Sequence, residues 1–466
     1  MLLQFSVSNY RSFRKLQTLN LAASSQDKAL PGNCIEQELP GVSGKHWLKG
    51  VAIYGANASG KTSVIEALEA LSKMVTTSAA MTDPKDPIPQ IEPFALHPGA
   101  ADSPTGFGVV FVAAGMRYEY RVAATRQRVW HESLRAFPGS KPQMWFARDW
   151  TAESGSYEWT PERPTGFERD KRLEGDTLGN MLFLSKHIAS NRQELDPVFR
   201  WFKSRLKFLD LSTRGQMGSG FTLTQVEKKT ALYGSIVELL RHADLGITGA
   251  RAVEQVPPRE LLEMVGKMPA EMGESFRKQF RFKPELTHRG TGTAEVALPW
   301  ESESAGTHRF FALAGPWLDI LANGYTVFVD ELETSMHPVM VRELLRLLFS
   351  AKANPKGAQL IFTTHNPLLL DMTLIRRDQV WFTDKDSEGE GHLYPLSDYA
   401  PRNTESLVRG YMSGRYGAVP VFPKGLLGTE PAHEVVTEAE LEPEPETPTL
   451  ETKRKTKPSV AAEALP

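Results

Sequence analysis

Residues 51–68 read VAIYGANASGKTSVIEAL, and this stretch decides the fold. The apolar run Val51-Ala52-Ile53-Tyr54 predicts a buried strand. Gly55-Ala56-Asn57-Ala58-Ser59-Gly60-Lys61-Thr62 follows, then Ser63, with Val64, Ile65 and Leu68 at helical spacing. Two glycines with four residues between them, then Lys-Thr, set between a strand and a helix, make the pattern of a phosphate-cradling loop. The glycines admit backbone angles that a Cβ would obstruct, so N–H groups of the loop and of the helix start can converge on one anion. Lys61 is placed to reach the β- and γ-phosphates, and the Thr62 hydroxyl to ligate Mg²⁺. A glycine-containing turn with a surface lysine would explain the glycines but not the strand before them and the helix after.

Two later runs complete the chemistry. Tyr325-Thr326-Val327-Phe328-Val329 predicts a fully buried parallel strand, and it ends in Asp330-Glu331. Downstream of a phosphate loop, Asp330 is expected to hold Mg²⁺ through its water shell. Glu331 is expected to orient and activate the water that attacks the γ-phosphorus. Ala358 to Thr364 predicts another buried strand with His365 at its end, the edge where such sheets bind ligands. An imidazole there can donate a hydrogen bond to the γ-phosphate. Ser304-Ala305-Gly306-Thr307 opens an apolar helix running to about Ala322. It reads as an N-cap, and equally as an anion-binding helix start. Mg²⁺ and Lys61 neutralise only part of the charge on a transferring phosphoryl group, and no arginine finger is adjacent in sequence. The same helix start from a second, head-to-tail copy is expected to close over the γ-phosphate. His337 and His365 have no clustered third ligand, which argues against zinc.

The flanks supply the scaffold. Leu2–Ser8 and Gln17–Ala22 predict a hairpin with a basic turn, Asn9-Tyr10-Arg11-Ser12-Phe13. Residues 82–104, rich in Pro, Asp and Gly, predict a loop that holds Gln90. Phe107–Val112, Arg117–Val122, Trp130–Phe137 and Gln143–Phe146 predict an antiparallel meander lying between two halves of a parallel sheet. Helices are expected from Asn180, over Pro197–Lys207, and over 226–247, 258–282 and 338–349. None sustains coiled-coil heptads, so a compact helical insertion is expected and not an extended arm. Gln379–Thr383 predicts one more strand. The segments group as 1–150, a first ATPase lobe; 151–294, a mostly helical insertion; 295–423, a second lobe; and 424–466, a tail. Seven glutamates between 430 and 446, with interleaved prolines, predict that the tail is disordered. Net charge of −2 gives no global basic field toward nucleic acid. The single cysteine, Cys34, fits a reducing compartment, and no stretch reaches the roughly 18 apolar residues of a membrane span, so a cytoplasmic protein away from membranes is expected.

In order, these motifs resemble the ABC-type ATPase heads of the SMC, RecF and OLD group. The closest likeness is the stand-alone AAA-like proteins of phage-defence operons, the RloA or AbiLi type. Phe5 to Phe13 matches their opening strand and turn, Gly55–Thr62 Walker A, and Ser304–Thr307 the signature. Asp330-Glu331 matches Walker B, Leu332–Ser335 the D-loop, and Thr364-His365-Asn366 the switch histidine. Gly414–Pro420 also looks like the RloA type. The resemblance covers residues 1–423 and implies an α/β P-loop NTPase of ABC head type that hydrolyses ATP with Mg²⁺ as a dimer or higher oligomer. It implies that Arg11 approaches the nucleotide, and that a glutamine watches Mg²⁺, for which Gln90 is the candidate. It implies a separate effector, such as an RloB or TOPRIM-like protein, and DNA or tRNA as a possible signal. The signature lacks the usual second glycine pair and glutamine. A DNA-repair or chromosome-maintenance ATPase, and a scaffold that ATP merely locks, are the competing readings.

Overall fold

The computed structural model describes residues 1–420 apart from 43, 161–166, 168, 210–218, 244–245, 256–262, 264, 267, 269–280, 293 and 402–404. The expected tail and most of the expected helix over 258–282 lie outside the described residues. In chain order the strands are β1 (Leu2–Ser8), β2 (Gln17–Asn20), β3 (Cys34–Glu36), β4 (His46–Leu48), β5 (Gly50–Gly55), β6 (Thr105–Ala113), β7 (Met116–Ala124), β8 (Val129–Phe137), β9 (Gln143–Thr151) and β10 (Ser156–Trp159). Then come β11 (Leu206–Leu209), β12 (Ile247–Glu254), β13 (Phe282–Arg289), β14 (Glu295–Pro299), β15 (Thr326–Val329), β16 (Gln359–Thr364), β17 (Val380–Lys385) and β18 (Gly391–Pro395). The helices are α1 (Lys61–Thr77), α2 (Lys171–Gly175), α3 (Phe183–Ala189), α4 (Asp196–Arg200), α5 (Ser219–Glu227), α6 (Tyr233–His242), α7 (Ala305–Asn323), α8 (Pro338–Phe349) and α9 (Leu407–Met412). No helix among the described residues is long and apolar enough to cross a membrane.

Six strands, in the order β11-β15-β16-β5-β17-β18, form a mixed sheet that is parallel except for β18 at its edge. Its central strands are buried on both faces, which is why they read as continuous apolar runs. Alternation still sorts them. Val51, Ile53, Phe328 and Ile361 pack against α1, whereas Ala52, Tyr54, Val327, Val329, Leu360 and Phe362 pack against α7 and α8. Helix α8 buries Met340, Val341, Leu344, Leu345 and Leu348, a helical stripe in which each buried leucine contributes about 2 kcal/mol.

The meander is not inserted into the parallel sheet. It joins β1 and β2 in a separate seven-stranded antiparallel sheet, β10-β9-β8-β7-β6-β1-β2, which lies over the other side of α1. Its first hairpin turns on Ala114 (φ 47°) and Gly115 (φ 79°), the two positive angles that a two-residue hairpin needs. The α1 helix, with Val64, Leu68, Leu71 and Val75 buried, is thus sandwiched between two sheets. This is the P-loop NTPase head fold, with the phosphate loop leaving the middle of the parallel sheet.

Residues 151–294 depart from the expected pattern in detail. The helix expected over Pro197–Lys207 ends at Arg205 after a π-turn, and Leu206–Leu209 becomes β11, parallel to β15. Phe208 stacks on Phe328 at 5.2 Å, so tertiary pairing overrides the local pattern of a four-residue segment. Strands β12, β13 and β14 form a further antiparallel sheet, its first two members lying where helix was expected or no element was foreseen. Helix α7 carries Pro316 in its interior, which cannot donate to the Ala312 carbonyl. Thr222 of α5 repairs the gap, donating to Ala312 O at 3.2 Å and accepting from Gly315 N at 3.1 Å. Residues Met1–Val419 form one compact unit.

Candidate nucleotide site

The site is built at the C-terminal ends of β5, β15 and β16. In the loop after β5 a Cβ on Gly55 would lie 2.4 Å from both Ser59 Oγ and Thr383 Oγ1, so no other residue fits there. The hydroxyls of Ser59 and Thr383 are 2.6 Å apart, a bond that fastens the loop to β17. Ala58 (φ 62°) and Gly60 (φ 111°) take left-handed angles, and the loop then enters α1. Lys61 is buried within the curl, its ammonium donating to Gly55 O and Ala56 O at 2.9 Å each. Burial pulls its pKa down, while Asp330, Glu331 and Glu333 oppose that shift.

The parallel register sets Val329 beside Phe362, so Asp330 comes level with Thr363. Thr62 Oγ1 donates to Asp330 Oδ2 at 2.9 Å, and Thr363 Oγ1 donates to Asp330 Oδ1 at 2.5 Å. The Thr363 hydroxyl also accepts from Glu331 N at 2.7 Å, holding Glu331 at φ 48°. Thr334 Oγ1 donates to Glu331 Oε2 at 3.1 Å, and His365 Nε2 lies 3.7 Å from Glu331 Oε1. Burial, and then Lys61, lower the His365 pKa, which keeps the ring a neutral donor near pH 7. The side chains of Glu331 and His365 remain 52% and 36% exposed, so the cluster faces solvent. Two hard oxygen donors in contact, Thr62 and Asp330, fit a magnesium ion that keeps several waters and takes its other ligands from phosphate.

Thus Lys61, Thr62, Asp330, Glu331 and His365 converge from positions three hundred residues apart. Other expected members are elsewhere. Arg11 (φ 46°) has Ser12 bonded to Ser63 at 3.1 Å beside it, yet its guanidinium is held by Glu92, at 2.9 and 3.0 Å, and by Glu66 of α1. Gln90 is half-buried on a turn and makes no hydrogen bond to Thr62 or Asp330. Ser304 caps α7, accepting from Thr307 N at 3.0 Å, and a Cβ on Gly306 would lie 3.1 Å from Ser335 O. No hydrogen bond joins Ser304, Gly306 or Thr307 to the loop 55–62 of their own chain. His337 caps α8, accepting from Val339 N at 3.3 Å. Two contributors, Thr363 and Thr383, were not foreseen, and Glu333 was expected only as part of the stretch Leu332–Ser335, with no role of its own. Their signal was present as hydroxyls at the ends of apolar strands and a second carboxylate two residues beyond Glu331.

Among solved structures, the SMC head domain from Thermotoga maritima is similar at 12% identity, over 84% of this chain and 98% of that one, with a TM-score of 0.37. An SMC head bound to the C-winged helix domain of ScpA matches at 12% identity, over 86% and 99%, with a TM-score of 0.39. An SMC head with an extended coiled coil, bound to the C-terminal domain of ScpA derived from Pyrococcus furiosus, matches at 12% identity, over 86% and 97%, with a TM-score of 0.33. No curated protein matches the chain. The family model described as "AAA domain, putative AbiEii toxin, Type IV TA system" matches residues 51–371, from the phosphate-loop strand to just beyond His365, and this chain belongs to that family.

Proposed function

We propose that the chain binds ATP with Mg²⁺ in the loop 55–62 and hydrolyses it at composite sites of a head-to-tail homodimer. In this reading the N–H groups of residues 56–62 cradle the phosphates. Lys61 leaves the loop carbonyls for the β- and γ-phosphates, and Thr62 with Asp330 holds the metal. Glu331 orients water, and His365 donates to the γ-phosphate. The observation that carries it is the 2.9 Å contact of Thr62 with Asp330, with Lys61 buried in the same loop and Glu331 and His365 paired beside it. A second copy is favoured because the start of α7, with Ser304 exposed, engages nothing in its own loop. The biological role we propose is the sensor or regulator ATPase of an antiphage or restriction-linked system acting through a separate effector. The family's toxin–antitoxin description supports that direction.

Glu331→Gln should accumulate an ATP-bound dimer, read by light scattering with ATP and Mg²⁺. A variant that stays monomeric under those conditions removes the head-to-tail pairing. Lys61→Ala should lose ATP binding, and unchanged affinity would remove the loop from the site. Turnover stimulated by DNA, with strong salt dependence, would move the role toward chromosome maintenance.

A further inference from the structure

The segment after Glu331 does more than follow it. Leu332 is fully buried, and its N–H donates to Thr363 O at 3.2 Å, lacing the segment to the end of β16. Glu333 then turns inward. Its Oε1 accepts from the backbone N–H of His365 at 2.5 Å, and its Oε2 is buried without a hydrogen bond. The next residue of the switch loop is held from the other side, since Tyr54 donates to Asn366 O at 3.3 Å. Tyr411 of α9 lies edge-on to Tyr54 at 5.4 Å and stacks on Phe382 at 6.0 Å. The Glu333 charge faces both phenols, adding to the burial that raises their pKa values. Residues Gly414–Val419 close this aromatic cluster from outside, with Tyr416 fully buried and stacked on Phe382 at 5.5 Å.

We infer that Glu333 is the positioning residue of His365: its carboxylate sets the start of the switch loop, and so the distance of the imidazole from Glu331. The inference rests on the ATPase reading and deepens it. A buried carboxylate oxygen with no partner is costly, so a site chosen for stability alone would carry an amide or an apolar side chain. What the carboxylate supplies instead is one short, charge-assisted bond to a single N–H, the one that fixes His365. The same segment bears Ser335, whose carbonyl approaches Gly306 at the start of α7.

The test separates reach from charge. Steady-state ATP turnover with Mg²⁺ and the Kd of a non-hydrolysable ATP analogue are measured for the full chain and for Glu333→Ala, Glu333→Asp and Glu333→Gln. Glu333→Ala should lose kcat by about 10- to 100-fold, the value of one charge-assisted bond, with the analogue Kd within about threefold. Glu333→Asp keeps the charge but is one methylene too short, and should fall with it. Glu333→Gln keeps the reach and an acceptor oxygen but not the charge, and should fall between the parent and Glu333→Ala. Should Glu333→Ala not fold, the contrast between Asp and Gln decides alone. The inference is overturned if the folded variants all turn over within twofold of the parent, if Asp retains activity while Gln loses it, or if the loss appears in nucleotide affinity and not in kcat. A parent chain that hydrolyses no ATP overturns the reading beneath it.

Discussion

Replacing Thr363 with valine nearly preserves its shape and removes one hydroxyl, yet that hydroxyl joins the Asp330 carboxylate to the Glu331 backbone. Thr363 is fully buried. Its Oγ1 donates to Asp330 Oδ1 at 2.5 Å and accepts from Glu331 N at 2.7 Å. The first bond is charge-assisted, worth about 1.5–3 kcal/mol, and its loss frees Asp330 to rotate about its remaining partner, Thr62. If the whole of that energy holds the site in its reactive arrangement, kcat falls by about 10- to 150-fold. The second bond keeps Glu331 at φ 48°, a left-handed angle that a glutamate adopts only when its surroundings impose it. Thr363→Val should therefore lower kcat within that range and raise the Mg²⁺ concentration needed for half-maximal turnover. Thr363→Ser, which keeps the oxygen, should return to within about threefold of the parent. The assay is phosphate release across a magnesium titration, with circular dichroism melts to confirm folding. A folded Thr363→Val protein with unaltered kcat and unaltered magnesium dependence would refute the reasoning, because Asp330 and the Glu331 backbone would then be held by something else.

Three other outcomes follow from the same coordinates. Gly55→Ala should abolish ATP binding by equilibrium dialysis, since its Cβ would meet two hydroxyls at 2.4 Å, whereas Gly108→Ala, with its nearest neighbour at 3.7 Å, should bind normally. His187 is buried against Phe167 and Phe183, and desolvation lowers its pKa to about 4. The unfolded chain then takes up this proton first, so the fold is unburdened above pH 6.5 and loses stability as pH falls toward 4. The loss is about 2 kcal/mol by pH 5, measurable as a fall in denaturant midpoint that His187→Phe should lack. Arg148 and Glu132 form a fully buried ion pair, and Glu132 also accepts from Tyr120 Oη at 2.9 Å, Phe183 N at 2.7 Å and Leu184 N at 3.0 Å. Arg148→Met should destabilise by about 3–5 kcal/mol, and adding Glu132→Leu should cost less than the sum of the two single changes; an additive cycle would count against the pair.

The elements legible in the sequence are those whose local pattern and tertiary role agree. Val51–Tyr54, Tyr325–Val329 and Ala358–Thr364 are long apolar runs because they are buried on both faces. A strand with a wet face, such as β7, shows its period directly in Tyr118, Tyr120 and Val122 against Arg117, Glu119 and Arg121. What escaped was short or paired at long range. β11 has four residues and borrows its state from β15; β12 and β13 hold each other at mid-length with little periodicity. The meander was legible as strands but not as a separate sheet, because the partner that removes it from the parallel sheet is β1, a hundred residues earlier. In the site, Lys61, Asp330, Glu331 and His365 announce themselves by residue type and neighbours. Thr363 and Glu333 do not, because their importance lies in register: only when β15 and β16 are aligned does a strand threonine come level with a carboxylate. Arg11 shows what sequence leaves out in the other direction: its place beside the loop is legible, but its pairing with Glu66 and Glu92 is not.

The exposure of the cluster argues for where acceleration arises. Two unit charges 4 Å apart interact by about 1 kcal/mol in water, but by about 4 kcal/mol at the effective dielectric of a partly covered protein surface. Glu331 and His365 face solvent in the single chain, while Lys61 is sheltered within the curl of its loop. On the proposed function, affinity would reside in the curl of residues 55–62, and the electrostatic advantage of Glu331 and His365 would wait on whatever excludes water from that edge of the sheet. The start of α7, exposed at Ser304 and packed through Gly306 on the segment that also carries Glu333, lies on the element best able to connect such covering to the imidazole.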